Sequence, residues 1–166
     1  MEFKIYLTNL GMYNNGALVG KWVNLPCDNL LEELESIGVK AGTEYEEFFI
    51  TDYENDWGVQ VGEYDDLDTL NDLAQQLADI EDKGDENWLR AFMEAYSDDV
   101  QYALDHYEEG SCFYPKMSLE EVAEEFINEC YDVPEGLQNY IDYASYARDL
   151  GYDGYTETEY GVIYIY

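Results

Sequence analysis

The sequence predicts an α+β fold built from three small domains: a mixed helix–sheet domain over residues 1–60, a helical one over 61–112 and a second mixed one over 113–166. Three observations predict it. Strand-like segments stand near both ends, "FKIYLTNL" at the start and "YTETEYGVIYIY" at the finish. Between them, apolar residues recur at steps of three and four, the helical period. No repeat of fixed period and no low-complexity linker interrupts the chain. Pieces this small bury little surface alone, so they are expected to lean on one another.

The elements follow in order. "FKIYLTNL" sets Phe3, Ile5 and Leu7 against Lys4, Tyr6 and Thr8, the alternation of a half-buried strand. "NNG" at 14–16 is a turn signal. "LVGKWVNL" reads as a second strand, closed by Pro26, and Asp28 as the cap of a helix through Leu30, Leu31, Leu34 and Ile37 that ends at Gly38. "EEFFITDY" is a third strand, with Phe48 and Ile50 on one side and Phe49 and Thr51 on the other.

In the middle, Leu67, Leu70, Leu73, Leu77 and Ile80 mark an amphipathic helix. A second is expected over 86–108, with Trp88, Leu89, Phe92, Met93, Tyr96, Val100, Ala103, Leu104 and Tyr107 on its apolar side and Gly110 at its end. The last part holds a helix in "SLEEVAEEFINEC", another in "LQNYIDYASYARDL" closed by Gly151, and one or two terminal strands. A strand running to the last residue, with Tyr164 and Tyr166 in it, is paired within the fold or with a second subunit.

The charge sets this chain apart. It has 166 residues, 39 acidic and 7 basic, for a net charge of −32. Apolar residues make up 46% and aromatics 16%, far too rich for a disordered acidic tail. Acid is spread throughout: 11 acidic and 3 basic residues in 1–60, 16 and 2 in 61–115, 12 and 2 in 116–166. Such a field repels nucleic acid and anionic bilayers, and its natural partner is a basic surface. No basic, apolar leader and no long apolar run is present, which predicts a cytoplasmic protein without membrane contact.

Familiar catalytic chemistry is missing. Cys27, Cys112, Cys130 and His106 are too few and too scattered for a zinc site or a disulfide framework. His106, at helical spacing in an acidic stretch, reads as an exposed or capping histidine. No nucleophile elbow, phosphate loop or dinucleotide fingerprint appears. "DIEDKGDENWLR" starts like a calcium loop, but Lys83 stands at the fifth position and Arg90 where the closing Glu belongs. Nothing singles out one pair of carboxylates for acid–base work. The expectation is no enzyme, no cofactor and no metal. The tyrosines, dense at Tyr140, Tyr143, Tyr146, Tyr152, Tyr155 and Tyr160, fit either half-buried packing or an interface.

Residues 118–136 show what the acid costs. Ser118 and Glu121 form the pattern of a capping box. Val122, Ala123, Phe126, Ile127 and Cys130 make an apolar stripe, and Glu120, Glu121, Glu124, Glu125, Glu129 and Asp132 cover the rest. Glu120/Glu124, Glu121/Glu125 and Glu125/Glu129 are like-charge pairs four apart, each costing a few tenths of a kcal/mol. Halophilic adaptation is one explanation for tolerating this. Solubility alone needs a charge of only about 2–8. The third is imitation of DNA, which carries one negative charge per ~1.7 Å of duplex. Two such chains would match the charge of roughly 30 base pairs.

The chain resembles the ArdA antirestriction family from end to end. "YLTNLGMYNNGALVGKWVNLP" (6–26) is similar to the family's opening signature, "LQNYIDYASYARDL" (137–150) to its second, and 119–133 lies where the family has its acidic antirestriction motif. Ala147 stands before Arg148 where the pattern has Gly. The resemblance implies an elongated, curved homodimer of three small domains per chain, joined through the C-terminal domain. It also implies a non-enzymatic protein, made by mobile genetic elements, that mimics double-stranded DNA. Such a protein occupies the DNA-binding cleft of Type I restriction–modification enzymes, at their methyltransferase core, and blocks restriction and modification. The alternative is an acidic shield or regulator for another basic DNA-binding partner, such as a histone-like protein. The expected phosphate mimics, acting collectively, are Glu120, Glu121, Glu124, Glu125, Glu129, Asp132, Asp65, Asp66, Asp68, Asp72, Asp79, Asp98, Asp99, Glu108 and Glu109.

Overall fold

A computed structural model describes residues 1–166. It is an α+β structure with eight helices and two three-stranded antiparallel sheets. The chain packs as two compact units, Met1–Asp82 and Lys83–Tyr166. The division falls inside the stretch 61–112, so its first helix belongs to one unit and its later helices to the other.

In the first unit, β1 (Phe3–Asn9) lies between β2 (Gly20–Asn24) and β3 (Phe48–Asn55). Phe3, Ile5 and Leu7 are almost completely buried, as their alternation predicts. β3 departs from simple alternation. Leu7 pairs with Ile50 and Tyr6 with Asp52, so Thr51 is an extra residue, a β-bulge. Phe49 and Ile50, opposite Thr8 and Leu7, point to opposite faces and are both buried, Phe49 against the rings of Tyr13 and Tyr64. A short helix not evident in the sequence, α1 (Leu10–Asn14), follows β1 and is capped by Asn9, whose side chain accepts from Met12 N–H at 2.9 Å. α2 (Leu30–Ser36) starts one residue later than expected. Its cap is Asn29, not Asp28, because a cap side chain must reach the N–H two or three residues on, here that of Glu32. Gly38 ends the helix with φ +81°, where a side chain would be strained. α3 (Leu67–Lys83) buries Leu67, Leu70, Ala74, Leu77 and Ile80. Asn71 ties it to the loop before α2 by exchanging two hydrogen bonds with the Cys27 backbone, at 2.7 and 3.1 Å.

In the second unit, the single helix expected over 86–108 is two, α4 (Glu86–Ala95) and α5 (Val100–Gly110). The break is chemical. Ser97, Asp98 and Asp99 intervene, and Asp99 accepts from Tyr102 N–H at 3.0 Å to cap the second helix. β4 (Ser111–Pro115), unread in the sequence, pairs with β6 (Gly161–Ile165), which also pairs with β5 (Tyr155–Thr158). The terminal strand is thus the centre of its own sheet. Neighbouring strand residues point to opposite faces. Phe113 stacks on Trp88 of α4, whereas Tyr114 meets Phe126 of α6 (Leu119–Cys130), so helices cover both faces. Val122, Ala123, Ala147, Leu150 and Val162 form the core on the α6 side. The helix expected from Leu137 is also divided. α7 (Glu135–Gln138) is one turn, and α8 (Tyr143–Tyr152) starts anew where Asp142 accepts from Ser145 N–H at 3.0 Å and runs on through Gly151. Gly154, at φ +106°, makes the reversal instead.

Candidate functional site

The site is built from helices that bury one side and charge the other. On α6, a residue advances about 100° around the axis. Leu119, Val122, Ala123, Phe126, Ile127 and Cys130 then fall on one half of the cylinder, and Glu120, Glu121, Glu124, Glu125 and Glu129 on the other. Val122 and Ala123 are fully buried, while all five glutamates are exposed. From Glu120 to Glu129 the helix rises about 14 Å, and the five carboxylates share that length. The expected capping box is present: Ser118 Oγ accepts from Glu121 N–H at 3.3 Å, and Glu121 accepts from Ser118 N–H at 2.8 Å. That backbone hydrogen bond, with help from the Ser118 hydroxyl, holds the Glu121 carboxyl below its ordinary pKa. Asp132 stands exposed just beyond the helix.

On α3, Asp68, Asp72 and Asp79 fall within about 40° of one another around the axis and form a second row. Asp66, just before the helix, accepts from both the N–H and the hydroxyl of Thr69, at 2.8 and 2.9 Å, and its pKa is lowered by those bonds. Asp65 accepts from Gly62 N–H at 2.7 Å. Asp98 and Asp99 lie in the α4–α5 break, and Glu108 and Glu109 at the end of α5. All fifteen expected carboxylates are exposed. The first unit holds five of them and the second unit ten. They are not chemically equal. Glu121, Asp66 and Asp99 are bound to helix starts, so they serve the fold as well as the surface.

The charge is balanced between the units. Residues 1–82 hold 19 acidic and 3 basic residues, and 83–166 hold 20 and 4, so each unit carries −16. Several of the few cations are already neutralised: Lys4 by Glu2 and Glu54, at 2.8 and 2.6 Å, Lys21 by Glu33, and Arg90 by Glu86 at 2.9 Å. The coat nevertheless has a gap. No acidic residue occurs from Phe3 to Cys27. Tyr13, Leu18 and Trp22 are exposed there, and a depression of about 320 Å³ is lined by Tyr6, Thr8, Tyr13, Leu18, Val19, Gly20 and Thr51. What this stretch supplies is structure. A Cβ on Gly20 would lie 2.5 Å from the Leu7 carbonyl oxygen, and one on Gly11 would lie 2.5 Å from that of Glu44.

One feature of the acidic surface escaped the sequence. Tyr96, Tyr102 and His106 form a stack, with Tyr102 and His106 only 4.1 Å apart between ring centroids. The i, i+4 spacing of Tyr102 and His106 was the available signal. No group of His, Cys, Asp or Glu side chains converges to hold a metal ion. No helix is long and apolar enough to cross a membrane.

The arrangement defines a strongly acidic α+β protein whose candidate site is an exposed, carboxylate-covered surface. The family model for the antirestriction protein ArdA matches residues 5–164, and the chain belongs to that family. Membership implies an antirestriction function; the family is not known as one of enzymes. No curated protein gives a significant match.

Proposed function

We propose that this protein blocks restriction by acting as a mimic of double-stranded DNA, occupying the DNA-binding cleft in the methyltransferase core of Type I restriction–modification enzymes. The observation that supports this reading best is the combination of fifteen exposed carboxylates, ten on helices and five beside their ends, with a charge of −16 in each unit. Carboxylates four apart on a helix are separated by about 6 Å of rise, a scale comparable to neighbouring phosphates on one strand. A cleft built to neutralise many phosphates can meet such rows with the same Lys and Arg side chains, releasing the counterions of both partners. Binding needs no reaction, and the role of each carboxylate is collective. The proposal includes the elongated homodimer of three-part chains, joined through the C-terminal part, and a cytoplasmic site of action on DNA arriving with a mobile element.

A cleavage assay tests it. The purified protein is added to a Type I restriction enzyme with unmodified DNA and ATP, and in parallel to a Type II enzyme on the same DNA. The expected result is loss of Type I cleavage near stoichiometric protein, with Type II cleavage unaffected. Unimpaired Type I cleavage in large excess would overturn the reading. Tight binding to a histone-like protein in the same series would favour a shielding role instead.

A further inference from the structure

A ring stack spans the α4–α5 break, from Tyr96 to Tyr102 and His106 of α5. Tyr102 and His106 lie nearly parallel, at 15°, and Tyr96 continues the stack at 5.9 Å and 24°. Tyr96 is 59% exposed and Tyr102 37%, and His106 is exposed as well. The stack is nevertheless held in place. Tyr96 packs on the buried Phe92, with centroids 5.6 Å apart, and His106 Nδ1 lies 2.7 Å from the Tyr102 carbonyl oxygen. It is thus a pre-ordered aromatic surface open to solvent.

Its neighbours are acidic. Asp105, three residues beyond Tyr102, accepts from Gln101 Nε2 at 3.2 Å, Glu109 is three beyond His106, and Asp98 precedes the helix, so helical spacing puts carboxylates near the rings. The phenol rings attract a cation to their faces, nearby carboxylates strengthen that preference, and the His106 ring extends the flat surface. A guanidinium suits the site better than an ammonium, because its plane stacks on a ring while its edge donates to a carboxylate.

We infer that the rings of Tyr96, Tyr102 and His106, bordered by Asp98, Asp105 and Glu109, take an arginine side chain of the protein's basic partner by stacking. This rests on the cleft-binding function proposed above. It adds one contact that is not phosphate mimicry: a planar, orienting contact within an otherwise diffuse electrostatic attachment.

The test compares affinities for a Type I methyltransferase core over a range of salt concentrations. The variants are Y102L/H106L, which keeps apolar bulk and removes the ring faces, Y102F/H106F, which restores rings, and D105N. The leucine pair is expected to lose about tenfold in affinity, as befits a desolvated cation–π contact. It should keep the wild-type salt slope and melting temperature, and the phenylalanine pair should recover most of the loss. D105N should instead flatten the salt slope. Should the leucine pair fail to fold, H106A, which removes one exposed ring, carries the same expectation on a smaller scale. Wild-type affinity in the leucine pair, with wild type itself binding well, overturns this inference alone. Failure of the wild type to bind the core overturns the cleft-binding function, and this inference with it.

Discussion

Glu121 is held to Ser118 at both ends of a reciprocal pair: its carboxylate accepts from the Ser118 N–H at 2.8 Å while its own N–H donates to Ser118 Oγ at 3.3 Å. One member of the acidic ridge on α6 is therefore a structural cap. Glu121→Ala should fray the start of α6 and lower the denaturation midpoint, whereas Glu124→Ala and Glu125→Ala should leave it unchanged or raised, since each relieves a like-charge pair. Circular dichroism during urea unfolding reads both. The carboxyl's lowered pKa gives the sign with pH. Its contribution is present above the unfolded-state value and is lost as pH falls through the folded one.

Asn9 is fully buried and makes two bonds, accepting from Met12 N–H at 2.9 Å and donating to the Ile37 carbonyl at 3.2 Å. Asn9→Ala leaves both backbone groups without that partner, and should cost about 1–3 kcal/mol of stability. Gly20→Ala should destabilise as well, since the new Cβ would meet the Leu7 carbonyl oxygen. Both are measured by chemical denaturation. Variant protein that remains folded should inhibit normally, because these residues lie in the acid-free stretch.

The second unit should be sensitive to alkali. Burial, together with a hydrogen bond to Asp85, pushes the Tyr107 phenol up to about 12 from an ordinary 10.0, and burial likewise raises Tyr114 and Tyr155. An acid whose folded pKa is raised stabilises the fold fully below its unfolded value. Stability should therefore fall as pH rises from about 10 to about 12. Tyr107→Phe removes its share of that fall, seen as a shallower loss of melting temperature between pH 9 and 12.

Salt should act in opposite directions on folding and on function. With −16 in each unit, screening relieves self-repulsion, so the melting temperature should rise from low salt to a few tenths molar. Affinity for a basic cleft should fall over the same range. A halophilic protein would behave differently, folding only in molar salt.

Neutralisation should be graded. Glu120→Gln or Glu129→Gln alone should change inhibition less than twofold. Converting Glu120, Glu124, Glu125, Glu129 and Asp132 together to their amides should weaken binding steeply and flatten its salt dependence, while raising thermal stability. Titration of Type I cleavage against protein concentration checks both. A single surface amide that abolished inhibition would contradict a collective role.

Much of this was legible because period reports burial directly. The alternation in "FKIYLTNL" gave β1 and its buried side, and the steps of Leu67, Leu70, Leu77 and Ile80 gave α3. The capping box at Ser118 was readable because both partners are local. What escaped depended on competition between local and distant bonds. Asp99 and Asp142 look like helix-surface acids, yet each starts a new helix by capping it, at Tyr102 and Ser145. β4 has no alternation because both faces of its sheet are covered, so its strand character is visible only from its pairing with β6. Alternation puts Thr51 on the side of Phe49, and it does face Thr8 there, with the two hydroxyls 2.9 Å apart; the bulge at Thr51 is set by pairing with β1 and has no local signal. At the site, exposure of the acidic residues on α3 and α6 follows from their helical phase. The stacking of Tyr96 on Tyr102 across the α4–α5 break could not be read before the break itself was known.

The most direct test of DNA mimicry is displacement. A Type I methyltransferase core is bound to fluorescent target DNA, purified protein is titrated in, and the series is repeated at several salt concentrations. Mimicry predicts stoichiometric release of DNA at low salt, with the protein's own affinity for the core falling as salt rises. DNA that stays bound in large excess of folded protein, or a ternary complex holding both, would contradict occupation of the same cleft.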